Sequence, residues 1–340
     1  MNDNEFRETA LKIKAEVDRA QTILLCCHPG ADPDSAGSVL ALMHYLRSIG
    51  KNVIAIRGDD ELSKGLLTLP GAEKILNKNF TEIDNEEFDL FISTDSSSPD
   101  QVTKCGEMTQ EAKNKTIVVD HHRTNDGYGF INLLIKDSPA TAEIVYDLMA
   151  VWSVDIDSNI AKCLFAGIYA DTGGFKYPMT DSHTFEVASK LVSLVPDFSQ
   201  VIFNLENSYA PENVKFLGLA LSQIETYFSD KVTISPVPFV EMKAKGIKKI
   251  HSEEMEVSNI LKSVIGWEVC ASLTEQEDGK TSVSLRTRNS EKYDVSKIAK
   301  ALGGGGHSAA AGATINKPLT EAKEIFLSTV ENLYPELGKR

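Results

Sequence analysis

One histidine and two aspartates fall within seven residues at His28, Asp32 and Asp34, in the stretch His28-Pro29-Gly30-Ala31-Asp32-Pro33-Asp34. Imidazole nitrogen and carboxylate oxygen packed this closely suit a divalent metal such as Mn2+ or Zn2+. The plainer alternative is a polar loop in which Asp34 or Ser35 merely caps a helix. Three more groups follow. Asp95 ends the apolar run Leu90-Phe91-Ile92-Ser93-Thr94, Asp120-His121-His122 follows Ile117-Val118-Val119, and Asp171 stands before Thr172-Gly173-Gly174. Each alone reads as a turn aspartate or an ordinary histidine pair. Together they offer His28, His121, Asp32, Asp34, Asp95 and Asp171 as direct ligands. Two octahedral-leaning cations need about this many, if one carboxylate bridges them and water completes the shells.

The elements around these residues have a consistent pattern. Residues 5–20 read as an amphipathic helix. The apolar run 23–27 reads as a strand, the His28 stretch as a turn, and 39–49 as an amphipathic helix stopped by Gly50. Further strands are expected at 52–56, 88–94 and 116–119, with helices at 139–152, 158–170 and from Asp181 or Ser182 to about Leu194. Strands alternating with helices predict an α/β domain, a mostly parallel doubly wound sheet over residues 1–190. Three of the four polar groups would then lie at the carboxyl ends of parallel strands, the edge where open α/β sheets bind ligands. Residues 191–228 read as a helical connector. A smaller α+β domain is expected over 229–340, with strands at 232–238, 267–274 and 281–287, helices at 255–265, 295–302 and 319–333, and an Asp278-Gly279 hairpin turn.

Composition narrows the function classes. The 340-residue chain carries a net charge of −14, which argues against broad binding to duplex nucleic acid but not against a short phosphorylated ligand. No run is apolar and long enough to span a membrane, and the polar N-terminus has no signal-peptide core, so a cytoplasmic location is expected. The five cysteines, Cys26, Cys27, Cys105, Cys163 and Cys270, match no zinc-knuckle spacing and read as reduced packing residues. His44, His183 and His251, and Trp152 and Trp267, read as ordinary structural residues.

The four ordered motifs resemble those of the DHH phosphoesterase superfamily. The C-terminal run Gly303-Gly304-Gly305-Gly306-His307, followed by Ala310-Ala311-Gly312, resembles the glycine-rich signature of the DHH-associated domain. Length and domain pairing are most similar to the NrnA-type branch. The resemblance implies a phosphoesterase with two Mn2+ ions, replaceable by Mg2+ or another divalent cation. It implies that His28, Asp32 and Asp95 bind one metal, and Asp34, Asp95, His121 and Asp171 the other, with Asp95 bridging. His122 would stand beside the scissile phosphate, with Asp120 orienting an adjacent histidine. It also implies a short oligonucleotide or nucleotide substrate, hydrolysed to nucleoside 5′-monophosphates, with 3′-phosphoadenosine 5′-phosphate and linear or cyclic dinucleotides as further substrates of the same branch, and frequent homodimers. The glycine N–H groups could approach an anion, and Arg286 and Arg288, two apart on a strand, could face one ligand. A flexible linker and a solvated strand face are the competing readings of these two features. Inorganic pyrophosphatase or exopolyphosphatase, a RecJ-like exonuclease and a catalytically silent nucleotide-binding module are the alternative functions.

Overall fold

A computed structural model describes residues 1–338. The chain divides into two units, Met1–Ser208 and Tyr209–Arg340. The stretch 191–228, expected as a connector, is instead shared between them. Its first helix carries Val201, Ile202 and Leu205 onto the N-terminal core, while its second carries Phe216, Leu219 and Ala220 onto a C-terminal one. Each half is amphipathic, so each is held by the unit that buries its apolar stripe.

The N-terminal unit runs α1 (Asp3–Arg19), β1 (Thr22–Cys26), α2 (Pro33–Ser48), β2 (Asn52–Ile56) and β3 (Leu90–Thr94). It continues with α3 (Gln110–Lys113), β4 (Thr116–Asp120), β5 (Ile131–Leu134), α4 (Thr141–Val151), α5 (Ser158–Asp171), α6 (Ser182–Leu194) and α7 (Phe198–Glu206). The sheet is wholly parallel in the order β2-β1-β3-β4-β5. Alternation splits each strand between two cores. Ile23, Leu25, Ile92 and Ile117 face the large core built with α1, α2, α4 and α5. Leu24, Phe91 and Ile56 face a thinner layer of short turns and α3, filled by Phe80, Phe88, Val102 and Met108. The short fifth strand has no clear alternation in sequence and was not expected. Among the described residues no helix is long and apolar enough to cross a membrane.

Helix α2 departs from the amphipathic reading. It begins at Pro33, six residues earlier, and Ala36 through Met43 are all buried. It is sandwiched, because α5 crosses it so closely that a Cβ on Gly37 would lie 2.4 Å from the Cys163 carbonyl oxygen. A helix buried all round shows little amphipathic period.

The C-terminal unit runs α8 (Pro211–Ser222), β6 (Glu225–Tyr227), β7 (Val232–Val237), α9 (Phe239–Ala244), α10 (Lys249–Glu253), α11 (Val257–Lys262), β8 (Val269–Glu275) and β9 (Thr281–Thr287). Then come α12 (Val295–Ala301), β10 (Gly305–Gly306), β11 (Ala310–Ile315), α13 (Leu319–Leu333) and α14 (Pro335–Gly338). Its sheet has the order β10-β11-β9-β8-β7-β6 and is antiparallel except for β7–β8. Val269, Ala271, Leu273, Val283 and Leu285 bury one face against α12 and α13. The opposite side of β8 and β9 carries Ser272, Thr274, Ser282, Ser284 and Arg286 along a polar groove.

Candidate metal centre

The His28 turn is fixed by its own side chains. Asp32, rather than Asp34 or Ser35, is the N-cap of α2: its Oδ1 accepts from the Asp34 and Ser35 N–H groups at 3.0 and 2.9 Å. That leaves Oδ2 turned to His28 Nε2, 3.7 Å away. The Ser35 hydroxyl accepts from the His28 N–H instead of capping the helix. His28 Nδ1 donates to the Pro29 carbonyl at 3.0 Å. A carbonyl only accepts, so Nδ1 carries a proton and Nε2 is the nitrogen turned toward the Asp32 and Asp95 carboxylates.

Asp34 is wholly buried and held from a distant part of the chain. Its two oxygens accept the Thr141 and Ala142 N–H groups at 2.7 and 2.8 Å, at the start of α4. A carboxylate at a helix N-terminus meets orphan donors and the favourable end of the dipole. Asp95 follows β3 with φ +55°, a left-handed conformation that aspartate tolerates better than bulkier residues. Its N–H donates to the Val119 carbonyl, and its Oδ1 accepts from the Thr141 hydroxyl at 3.1 Å. His121 Nδ1 donates to the Ser138 carbonyl, which leaves Nε2 3.5 Å from Asp95 and 3.3 Å from Asp171. His122 Nδ1 pairs with Asp120 at 2.7 Å, and Asn125 donates to the other Asp120 oxygen at 2.7 Å.

Three groups of donors result, each with its atoms within 4.8 Å of one another: His28 with Asp32 and Asp95, Asp34 with His121 and Asp171, and Asp95 with His121 and His122. The donor chemistry fits divalent cations. Burial, then the Asp95 and Asp171 charges, push the Asp34 carboxyl well above its usual range. Burial, then Asp32 and Asp95, do the same to Asp171, which also ends α5 at the unfavourable end of its dipole. Burial lowers the His28 imidazole, but Asp32 and Asp95 outweigh it and hold the ring well above its ordinary value. So many crowded acids need positive charge among them.

Sequence reasoning missed four contributors. Thr141 and Ala142 bind the Asp95 and Asp34 carboxylates, Asn125 holds Asp120, and Gly167 on α5 makes room, since a Cβ there would lie 2.8 Å from Asp34 Oδ1. Only Gly167 carried a signal, being an isolated glycine inside a helical pattern.

The remaining candidates lie in the C-terminal unit. Arg286 Nε donates to Asn259 Oδ1 at 3.0 Å, and Arg288 donates to the Lys262 carbonyl at 2.7 Å, so both reach toward α11. Burial and then the Arg286 charge push the Lys262 ammonium down, marking a concentration of cations at this place. The glycine run is no linker. The N–H groups of Gly303 and Gly304 donate to the Lys300 and Ala299 carbonyls, capping α12, so they are not free for an anion as expected. Unclosed helix carbonyls demand such donors. Gly305 and Gly306 pair with Gly312 and Ala311, and His307 is exposed at the following turn. A shallow cavity of about 480 Å³ is lined by Ser282, Ser284, Gly303, Gly304, Gly312 and Thr314.

Residues 22–168 match the DHH family, N-terminal domain, and residues 240–335 match the DHHA1 domain. The chain belongs to the DHH family. It is therefore a phosphoesterase of a metal-dependent family. It is 26% identical over 325 residues to the probable bifunctional oligoribonuclease and PAP phosphatase NrnA of Streptococcus mutans, covering 94% of this chain and 97% of that one. It is also 26% identical to the NrnA of Thermus thermophilus, over 96% of this chain and 95% of the relative. An exopolyphosphatase-related protein from Bacteroides fragilis shares the fold, with a TM-score of 0.87 at 24% identity over 98% of both chains.

Proposed function

We propose that this DHH protein is an Mn2+-dependent phosphodiesterase that hydrolyses short oligonucleotides to nucleoside 5′-monophosphates and also dephosphorylates 3′-phosphoadenosine 5′-phosphate. The observation that carries the reading is the shared position of Asp95, whose oxygens face His28 on one side and His121 on the other at 3.5 Å. A carboxylate bridging two cations needs that position. In this reading His28, Asp32 and Asp95 hold one Mn2+, and Asp34, Asp95, His121 and Asp171 hold the other. Mixed imidazole and carboxylate donors suit Mn2+ better than Mg2+. Two such cations supply activation of water and neutralisation of phosphoryl charge.

The chain's own residues supply the rest. Asn125 fixes Asp120, and Asp120 fixes the His122 ring and favours its protonated form, which hydrogen bonding at 2.7 Å supports. Burial lowers the His122 imidazole, but Asp120 and Asp95 raise it to about 9. His122 then presents Nε2–H to an oxygen of the scissile phosphate, stabilising charge that grows in the transition state. Thr141 and Ala142 keep Asp95 and Asp34 in place. Arg286, Arg288 and Lys262 supply positive charge for nucleotide phosphates, with His307 and the glycine hairpin beside the polar groove as further contacts. The names of the two NrnA relatives support the choice of substrate.

The test is a product profile with Mn2+ on RNA of two to five nucleotides, on pApA, on 3′-phosphoadenosine 5′-phosphate and on polyphosphate. Release of 5′-monophosphates from short RNA and pApA supports the reading. Turnover of polyphosphate alone moves the protein to a different phosphohydrolase class. Nucleotide binding with no turnover of any substrate sinks catalysis altogether.

A further inference from the structure

We propose that Arg57 binds a second, non-scissile phosphate of the substrate, an inference that rests on the nucleotide reading above. Arg57 follows β2, the edge strand beside β1. The parallel register pairs Cys26 with Ile56, so its continuation sets Arg57 level with Cys27, the residue before His28. The next residue confirms the closeness: a Cβ on Gly58, at φ +75°, would lie 2.5 Å from the Cys27 carbonyl oxygen and 3.4 Å from that of His28. Arg57 therefore stands at the same carboxyl edge as the metal-binding groups.

Its side chain is unaccounted for by the fold. Nε is buried without a hydrogen-bond acceptor. Among the described residues no carboxylate lies within ion-pair distance of the guanidinium, and no side-chain or backbone acceptor meets its N–H groups. This occurs in a chain of net charge −14, with Asp59, Asp60 and Glu61 close by in sequence. Asp59 is turned away, accepting from the Thr103 hydroxyl at 2.9 Å and the Lys104 N–H at 2.5 Å. Arg57 is half-buried, and an Nε withdrawn from water without an acceptor is unfavourable, so a native protein keeps such a group for a reason. A planar fork of donors at a ligand-binding edge matches a phosphate's paired oxygens.

The topology also says which phosphate. His28, Asp95 and His121 follow β1, β3 and β4, whereas Arg57 follows β2, one strand spacing of about 4.8 Å outward on the opposite side of β1 from β3. An anion held there is neighbour to the reacting phosphate, as in a linear dinucleotide or a nucleoside bisphosphate. Arg57 thus favours substrates with two phosphates over simple esters with one.

The experiment compares wild type, Arg57→Gln and Arg57→Lys with Mn2+ on pApA and on bis(p-nitrophenyl) phosphate, a diester with no second phosphate. The ratio of kcat/KM for pApA to that for the chromogenic diester should fall about 10- to 100-fold in Arg57→Gln, mainly through KM for pApA, with partial recovery in Arg57→Lys. An unchanged ratio overturns the proposal, whether both activities persist or both fall together as misfolding would cause. If wild type turns over no nucleotide, the functional reading fails but Arg57 is still decided. Equilibrium dialysis without divalent cation, where turnover is blocked, should show a preference for adenosine 3′,5′-bisphosphate over 5′-AMP in wild type that Arg57→Gln loses, and equal preference in both proteins refutes it.

Discussion

Replacing Gly167 by alanine should disturb the candidate metal centre without replacing any of its proposed ligands. The added Cβ would fall 2.6 Å from the Ala142 Cβ and 2.8 Å from Asp34 Oδ1. Carbon pairs settle near 3.5–4.0 Å, so something must retreat by about 1 Å. Asp34 has no slack, because the Thr141 and Ala142 N–H groups grip both its oxygens at 2.7 and 2.8 Å. Overpacking of this kind destabilises by about 1–3 kcal/mol, while alanine in place of a helical glycine returns about 1 kcal/mol. The net loss is about 1 kcal/mol, or a Tm lower by about 2–4 °C in a unit of this size. Displacing the support of a ligand carboxylate should weaken Mn2+ binding about 10- to 100-fold. Calorimetric titration of the metal-free protein with Mn2+, beside a thermal melt, reads both effects. Gly37→Ala is the control, since its Cβ meets the Cys163 carbonyl oxygen across the same helix crossing and not Asp34. Wild-type Mn2+ affinity in Gly167→Ala, or an equal loss in Gly37→Ala, would refute the reasoning.

Asp95→Ala should abolish turnover and lower bound metal, measured by elemental analysis after dialysis; activity with a full metal load would refute a bridging role. Asp120→Asn should reduce kcat about 10- to 100-fold with metal content retained, because it acts on the His122 ring; loss of metal instead would make Asp120 a ligand support. Burial pushes Glu143 up to about 7, with one carboxylate oxygen unpartnered and His183, Asp147 and Asp181 as its charged neighbours. Between its ordinary value near 4.5 and about 7, the folded chain keeps a proton that the unfolded chain releases. Stability should therefore fall as pH rises through that window, by roughly 3 kcal/mol at most. Glu143→Gln should remove the Glu143 share of that slope in urea unfolding at pH 5 and pH 8, leaving the share of the raised Asp34, Asp171 and His122 groups. The His183–Asp147 pair leaves a residual slope of the same sign, because His183 is raised by Asp147 against its own burial and that pairing is lost as pH rises. An unchanged slope in Glu143→Gln removes Glu143 as its source.

Much of the centre was legible because chemistry and strand ends coincide. Asp95 and Asp120 each close an apolar run, and His28 follows one, so convergence at one sheet edge follows from parallel topology alone. The bland residues were bland for visible reasons. His44 Nε2 donates to the Pro70 carbonyl at 2.9 Å, and Trp152 donates its indole N–H to the Ala10 carbonyl at 2.8 Å within the core. What failed was local. Helix α2 begins earlier than its apolar pattern suggests because burial on all sides erases the period, and two N–H groups of the glycine run close the end of α12 rather than facing an anion.

By itself the sequence determined the α/β class, the small second domain and the set of imidazoles and carboxylates able to hold cations. These depend on residue type, alternation and the order of motifs. Tertiary structure decided which groups come together and what holds them. The support of Asp34 and Asp95 by Thr141 and Ala142 spans more than forty residues of sequence. The need for glycine at 167 and the unpartnered Nε of Arg57 likewise exist only where separate elements pack. Spacing along a chain records none of these contacts, because a hydrogen bond or a steric limit is set by distance in space.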